Sequence, residues 1–119
     1  MQVAVLGASA KPERYSHKAM VALAARGHLV LGINPAPVDL SPFSRVDSVA
    51  ALPSGVDTLT VYLGEAGTAP LADEILKADF RRVIFNPGAE NPALMERLQT
   101  SGVEAFEACT LVLLSTGQF

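Results

Sequence analysis

Val3-Ala4-Val5-Leu6-Gly7-Ala8-Ser9-Ala10-Lys11-Pro12-Glu13-Arg14 is the stretch that decides the fold. Four apolar residues stop at a glycine, small residues follow, and a short basic segment leads into a helical pattern. The apolar run, extended back to Gln2, has the length and uniformity of a strand buried on both faces. Gly7 lets the backbone turn sharply at its end. Ser16 is expected to cap a helix whose inner face is Met20, Leu23 and Ala24, and Arg26-Gly27 supplies the stop. Leu29–Ile33 is a second apolar run, closed at Asn34-Pro35 because the ring of a proline constrains the residue before it.

The alternation continues outward. Ala36–Ser44 is proline-rich and irregular, Arg45–Asp47 reads as a short edge strand, and Ser48–Leu52 as one helical turn before Pro53. Thr58–Leu63 is a third clear strand. Thr68 or Pro70 opens a helix to about Lys77, with Leu71, Ile75 and Leu76 inward. Arg82–Phe85 is a strand ended by Asn86-Pro87-Gly88. Asn91 caps the next helix with Pro92 at its first position, and Leu94, Met95 and Leu98 pack inward. Gly102 ends that helix and Val103–Phe106 is a last short strand. Strands alternating with helices over short links imply right-handed crossovers. Residues 1–119 are therefore expected to form one α/β, Rossmann-like domain: a doubly wound, mostly parallel sheet flanked by helices.

Composition narrows the function. In 119 residues, 50% are hydrophobic and 18% charged, the balance of a globular chain with a real core. The net charge of −3 argues against a general nucleic-acid binder, which carries a basic patch. Lys11, Arg14, His17 and Lys18 nevertheless form a local basic cluster suited to one anionic small molecule. No apolar stretch approaches the roughly 20 residues of a membrane span, and the N-terminus lacks the pattern of a signal peptide. The single Cys109 fits a reducing cytoplasm, and the two histidines lie too far from it in sequence to suggest a metal site.

In such a sheet, ligands lie beyond the carboxyl ends of the strands. Those positions hold Gly7 to Ser9, Asn34-Pro35, Tyr62-Leu63 and Asn86-Pro87-Gly88. They are rich in small residues, amides and prolines and poor in acids, so they read as a binding surface more than a catalytic centre. Ala8 and Ser9 are small enough for a phosphate to approach main-chain N–H groups, while Lys11 and Arg14 supply charge. The dinucleotide fingerprint G-x-G-x-x-G is incomplete, with Ser9 and Pro12 at its second and third glycines. Asn34 stands where NAD binders place an acid for the ribose hydroxyls. NAD is disfavoured on both counts.

The run Val5-Leu6-Gly7-Ala8-Ser9 with Lys11-Pro12 and Arg14-Tyr15-Ser16, the element Gly32-Ile33-Asn34-Pro35, Val56-Asp57 before a strand, and Asn86-Pro87-Gly88-Ala89 resemble the small CoA-binding proteins. Their domain is similar to the N-terminal CoA-binding domain of the succinyl-CoA synthetase α subunit, and the resemblance extends through Glu107-Ala108-Cys109. It implies a coenzyme A site in which the first loop cradles phosphates. Asn34 and Pro35 would flank the adenosine, and Val61, Tyr62, Asn86, Pro87 and Gly88 would line the path of the pantetheine arm. Gly7, Ala8, Ser9, Lys11, Arg14 and Ser16 complete the implied binding set. Ala36 and Pro37 follow Asn34 where a basic residue could meet the 3′-phosphate, so that role passes to Lys11 or Arg14. The phosphorylated histidine of the synthetase reaction has no counterpart, and ligase activity does not transfer.

The remaining polar residues have plainer readings. Cys109 reads as a small buried hydrophobe beside Leu111–Leu114, its alternative being a mixed disulfide with the CoA thiol. His17 reads as a solvated helix residue, His28 as structural, and Glu65 and Glu90 as loop carboxylates rather than an acid–base pair. Tyr62 is equally a ligand-stacking residue or a core-edge one. Leu111–Leu114 with Phe119 is either a packed final helix or a homodimer face. The leading expectation is a stand-alone CoA or acyl-CoA binding protein without a catalytic centre. The alternatives are a regulatory or interaction subunit of a CoA-utilising enzyme, or a nucleotide-binding enzyme.

Overall fold

The computed structural model describes residues 1–119. Its sheet has six strands: β1 (Gln2–Leu6), β2 (Leu29–Ile33), β3 (Ser44–Val46), β4 (Val56–Val61), β5 (Arg82–Phe85) and β6 (Glu104–Glu107). They lie in the order β3-β2-β1-β4-β5-β6, and every neighbouring pair is parallel. Strand order reverses at β1, so the chain winds first to one edge and then to the other. The expected doubly wound architecture is present, and the sheet is parallel throughout.

Helices cover both faces. α1 (Tyr15–Ala25) and α5 (Thr110–Ser115) pack against each other on one side. On that side Val3, Val5, Ala8, Met20, Leu23, Val30, Leu40 and Leu114 form one buried cluster. On the other lie α2 (Glu65–Thr68), α3 (Ala72–Lys77) and α4 (Pro92–Thr100). There Ala4, Leu6, Ile33, Leu59, Val61, Val83 and Phe85 meet Ile75, Leu94 and Leu98 in the larger cluster. Successive residues of β1 thus feed opposite cores, which is why its sequence is apolar without a break.

Under α5 the sheet is polar. Thr60 and Thr110 share a 2.7 Å hydroxyl hydrogen bond, and Asn86 Nδ2 donates to Thr60 Oγ1 at 2.7 Å. At the opposite end of the strands the buried Arg82 donates to Thr58 Oγ1 and the main-chain oxygen of Phe119, with its guanidinium 4.2 Å from the Phe119 ring centre. Of the C-terminal apolar segment, Leu114 lies in the core and Phe119 against the sheet's base, while Val112 is exposed.

Several boundaries differ from the sequence reading. Ser16 is a buried residue inside α1, not its cap; Arg14 occupies the N-cap position and no side chain caps the helix. The inner face of α1 is Ser16, Ala19, Met20 and Leu23, and Ala24 is exposed. The helix expected from Thr68 or Pro70 starts at Glu65 and passes through a tight turn at Ala69–Leu71 into α3. β4 begins two residues earlier than expected and stops at Val61, and β6 is Glu104–Glu107 rather than Val103–Phe106.

Candidate functional site

At the carboxyl ends of β1, β2, β4 and β5 the structure holds a cavity of about 1070 Å³. It opens where β1 meets its neighbours, because the crossovers leave β1 toward opposite faces and leave a crevice between them. Gly7 makes the first turn at φ +86°. A Cβ there would lie 3.0 Å from the Leu63 side chain and 3.3 Å from the Tyr62 carbonyl carbon. Only glycine lets the two loops approach so closely.

The Gly7 and Ala8 N–H groups are not free for an anion; both donate to Ile33 O, at 3.3 and 3.2 Å. The main-chain N–H groups open to a phosphate are therefore not those of Gly7 and Ala8. The unengaged donors follow them: the N–H groups of Ser9 and Ala10, and those of Tyr15, Ser16 and His17 in the uncapped first turn of α1. Ser9 Oγ accepts from Lys11 N at 3.1 Å, and Ser9 O is bonded to His17 Nδ1 at 2.9 Å. His17 is thus half-buried and ties the loop to α1, not a solvated residue. Lys11 and Arg14 line the cavity, and neither pairs with a carboxylate.

The ends of β2 and β3 form one wall. Asn34 Nδ2 donates to Ala8 O at 2.9 Å while its Oδ1 accepts from Ala36 N at 2.9 Å. It stitches the first loop to the second strand. Asp47 and Ser48, just past β3, join Asn34 and Pro35 on this wall. Arg45 stands behind them, donating to Asn34 O at 2.8 Å and pairing with Asp47 at 2.6 Å.

The ends of β4, β5 and β6 form the other wall. Tyr62, Leu63, Asn86, Pro87, Cys109 and Leu111 line it. Burial pushes the Tyr62 phenol up to about 12. Its hydroxyl lies beside Thr60 and Thr110 but makes no hydrogen bond of adequate geometry. Asn86 is 1% exposed and spends its amide inside the chain: Nδ2 donates to Thr60 Oγ1 and Val61 O, and Oδ1 accepts from Thr110 N.

Of the thirteen residues expected at the site, the cavity gathers Gly7, Ala8, Ser9, Lys11, Arg14, Ser16, Asn34, Pro35, Tyr62, Asn86 and Pro87. Val61 is fully buried in the larger core, and Gly88, at φ +89°, lies outside the lining. Cys109, read as a buried hydrophobe, is half-exposed at the foot of α5 and faces the cavity. Asp47, Ser48 and Leu71 are additions. Asp47 and Ser48 follow β3 and Cys109 follows β6, so extending the rule of reading past each strand to these two short strands finds all three. Leu71 comes from the tight turn that leads into α3 and carries no such signal. Glu65 and Glu90 do not line the cavity, and the Glu90 carboxylate accepts from Gly88 N at 3.0 Å.

A family model for the CoA binding domain matches residues 1–115. The chain belongs to that family. No curated protein matches it. Among solved structures, this CoA-binding domain is similar to a crystal structure of an uncharacterized protein, at 33% identity and TM-score 0.93, covering 99% of this chain and 97% of that one. It is also similar to a conserved hypothetical protein from Pyrococcus furiosus, at 28% identity and TM-score 0.82, covering 93% and 97%. The fold recurs in a dinucleotide-forming acetyl-coenzyme A synthetase from Ca. Korarchaeum cryptofilum, whose structure is a complex with phosphate and ADP. There identity is 21% and TM-score 0.70, over 92% of this chain and 25% of the synthetase. No helix of the CoA-binding domain is long and apolar enough to cross a membrane.

Proposed function

We propose that the protein is a stand-alone binder of coenzyme A or an acyl-CoA. The diphosphate lies over the free amides of Ser9, Ala10 and the first turn of α1, neutralised by Lys11 and Arg14. Adenosine rests against Asn34 and Pro35, and the pantetheine arm runs along Tyr62 and Pro87. We assign no catalytic residue. The observation that carries the reading is the single cleft: it joins unpaired cations and unengaged amides to an apolar groove on one side and a polar wall on the other. An anionic centre with one polar and one apolar arm is the outline of coenzyme A.

Thermal unfolding with added ligand tests it. Coenzyme A should raise the midpoint progressively with concentration, reaching about 2.7 kcal/mol of added stability at a hundred times Kd. NAD, which lacks the pantetheine arm, should give a smaller shift. Lys11→Ala with Arg14→Ala should leave the unliganded midpoint nearly unchanged and remove the CoA shift. No shift at millimolar coenzyme A in the unaltered protein overturns the reading.

A further inference from the structure

The cations that the cleft offers are few, and their placement bears on which adenosine ligand fits. Lys11 and Arg14 both lie on the loop after β1 and line the cleft. A diphosphate bridge carries about one negative charge on each phosphate, so these two side chains match it with none to spare. A 3′-phosphate adds a further charge of about −1.5 to −2 at the ribose. That group needs its own donors on the wall after β2 and β3.

The wall supplies no free cation, and its Ser48 hydroxyl is a neutral donor. Pro35 has no N–H, and both polar atoms of the Asn34 side chain are already bonded within the chain, to Ala8 O and Ala36 N. Arg45 is the cation closest in sequence to this wall. Its Nη1 is held by Asn34 O and by the Asp47 carboxylate, and Arg45 itself does not line the cleft. Lys18 lies over the Tyr15 ring, 5.2 Å from its centre, and does not line the cleft either. What faces the ligand is Asp47, with Ser48 beside it. A carboxylate repels a phosphate and accepts a hydrogen bond from a ribose hydroxyl.

We propose that the cleft recognises an adenosine 5′-diphosphate ligand with a free ribose diol, so that 3′-dephospho-coenzyme A binds at least as tightly as coenzyme A. Asp47 is the specificity-determining residue, accepting from the ribose hydroxyl that the 3′-phosphate would replace. The inference rests on the CoA reading above and narrows its ligand class.

Isothermal titration calorimetry of the full chain with coenzyme A and with 3′-dephospho-coenzyme A decides it. A protein that reads the 3′-phosphate gains one or more charge-assisted hydrogen bonds, about tenfold or more in affinity. The expected result here is a preference for coenzyme A of no more than about threefold, or a preference for the dephospho form. A larger preference for coenzyme A overturns the inference and leaves the CoA reading standing. Binding of neither ligand overturns both. Asp47→Asn, on an exposed side chain, should shift the affinity ratio several-fold toward coenzyme A, since it removes the repelling charge and releases Arg45 (roughly the size of one charged contact). An unchanged ratio in that variant overturns the role of Asp47.

Discussion

Asn86 shows how a residue can sit in a cleft and still serve the fold. Its side chain ties β4 to the start of α5 through Thr60, Val61 O and Thr110 N. Asn86→Ala leaves the buried Thr110 N–H without a partner, at a cost of about 1–3 kcal/mol unless water enters, and takes one of two bonds from Thr60 Oγ1 and from Val61 O. The expected loss is about 3 kcal/mol in urea unfolding, and a loss under about 1 kcal/mol would mean that the network is dispensable. Sequence alone located this asparagine, because it follows a strand and precedes proline. Its duty was not legible, because Thr60 and Thr110 are brought together across 50 residues of chain. Asn34 repeats the pattern, placed by its strand end and employed in joining two loops.

Among the elements, α4 was the plainest in the sequence. Asn91 accepts from Leu94 N at 3.1 Å and donates to the buried Thr68 hydroxyl at 2.9 Å, with Pro92 next in line. Asn91→Ala should lower the thermal midpoint by the equivalent of about 1–2 kcal/mol, more than an exposed cap would cost, since the buried Thr68 hydroxyl loses the donor it accepts from too. A change no larger than at a surface site would show that the cap is idle. The strands fall within two residues of their expected bounds, and the plainest are β1, β4 and β5, whose runs are buried on both faces, whereas the edge strands β3 and β6 carry a weaker pattern. α1 was less legible. Ser16 looks like a cap by composition, but the turn at Pro12-Glu13 starts the helix one residue before it, at Tyr15, and turns that serine inward. Pro70 likewise looks like a helix start. It instead falls within the first positions of a tight turn, where a missing N–H costs nothing.

For the whole molecule, one cluster of ion pairs, that of Arg81, lies at the end of the sheet away from the cleft. Arg81 binds Asp57 through two parallel contacts, 2.7 and 2.9 Å, and reaches Glu104 at 3.5 Å. The Arg81 guanidinium holds the Asp57 carboxyl down at about 2. A depressed carboxyl stabilises the fold above its unfolded value, near 4, and that contribution fades as pH falls toward 2. Because Arg81 is half exposed, the effect is at most about 1 kcal/mol. Urea midpoints at pH 5 and pH 2.5 should therefore differ less in Arg81→Ala than in the unaltered protein. An equal fall in both would assign the acid sensitivity to other carboxylates.

Strand β1 lies at the middle of the sheet, clasped by β2 on one side and β4 on the other, and both partners come from later in the chain. No two neighbours in this sheet meet through a hairpin, so every pairing must close a long loop before it gains any contact, and such topologies fold slowly. The crevice at the end of β1 exists only once both partners have docked. An early intermediate holding β1 and β2 alone would have the basic loop without the opposite wall. Ligand present during refolding would then speed little of the search, and would act chiefly by slowing escape from the finished state.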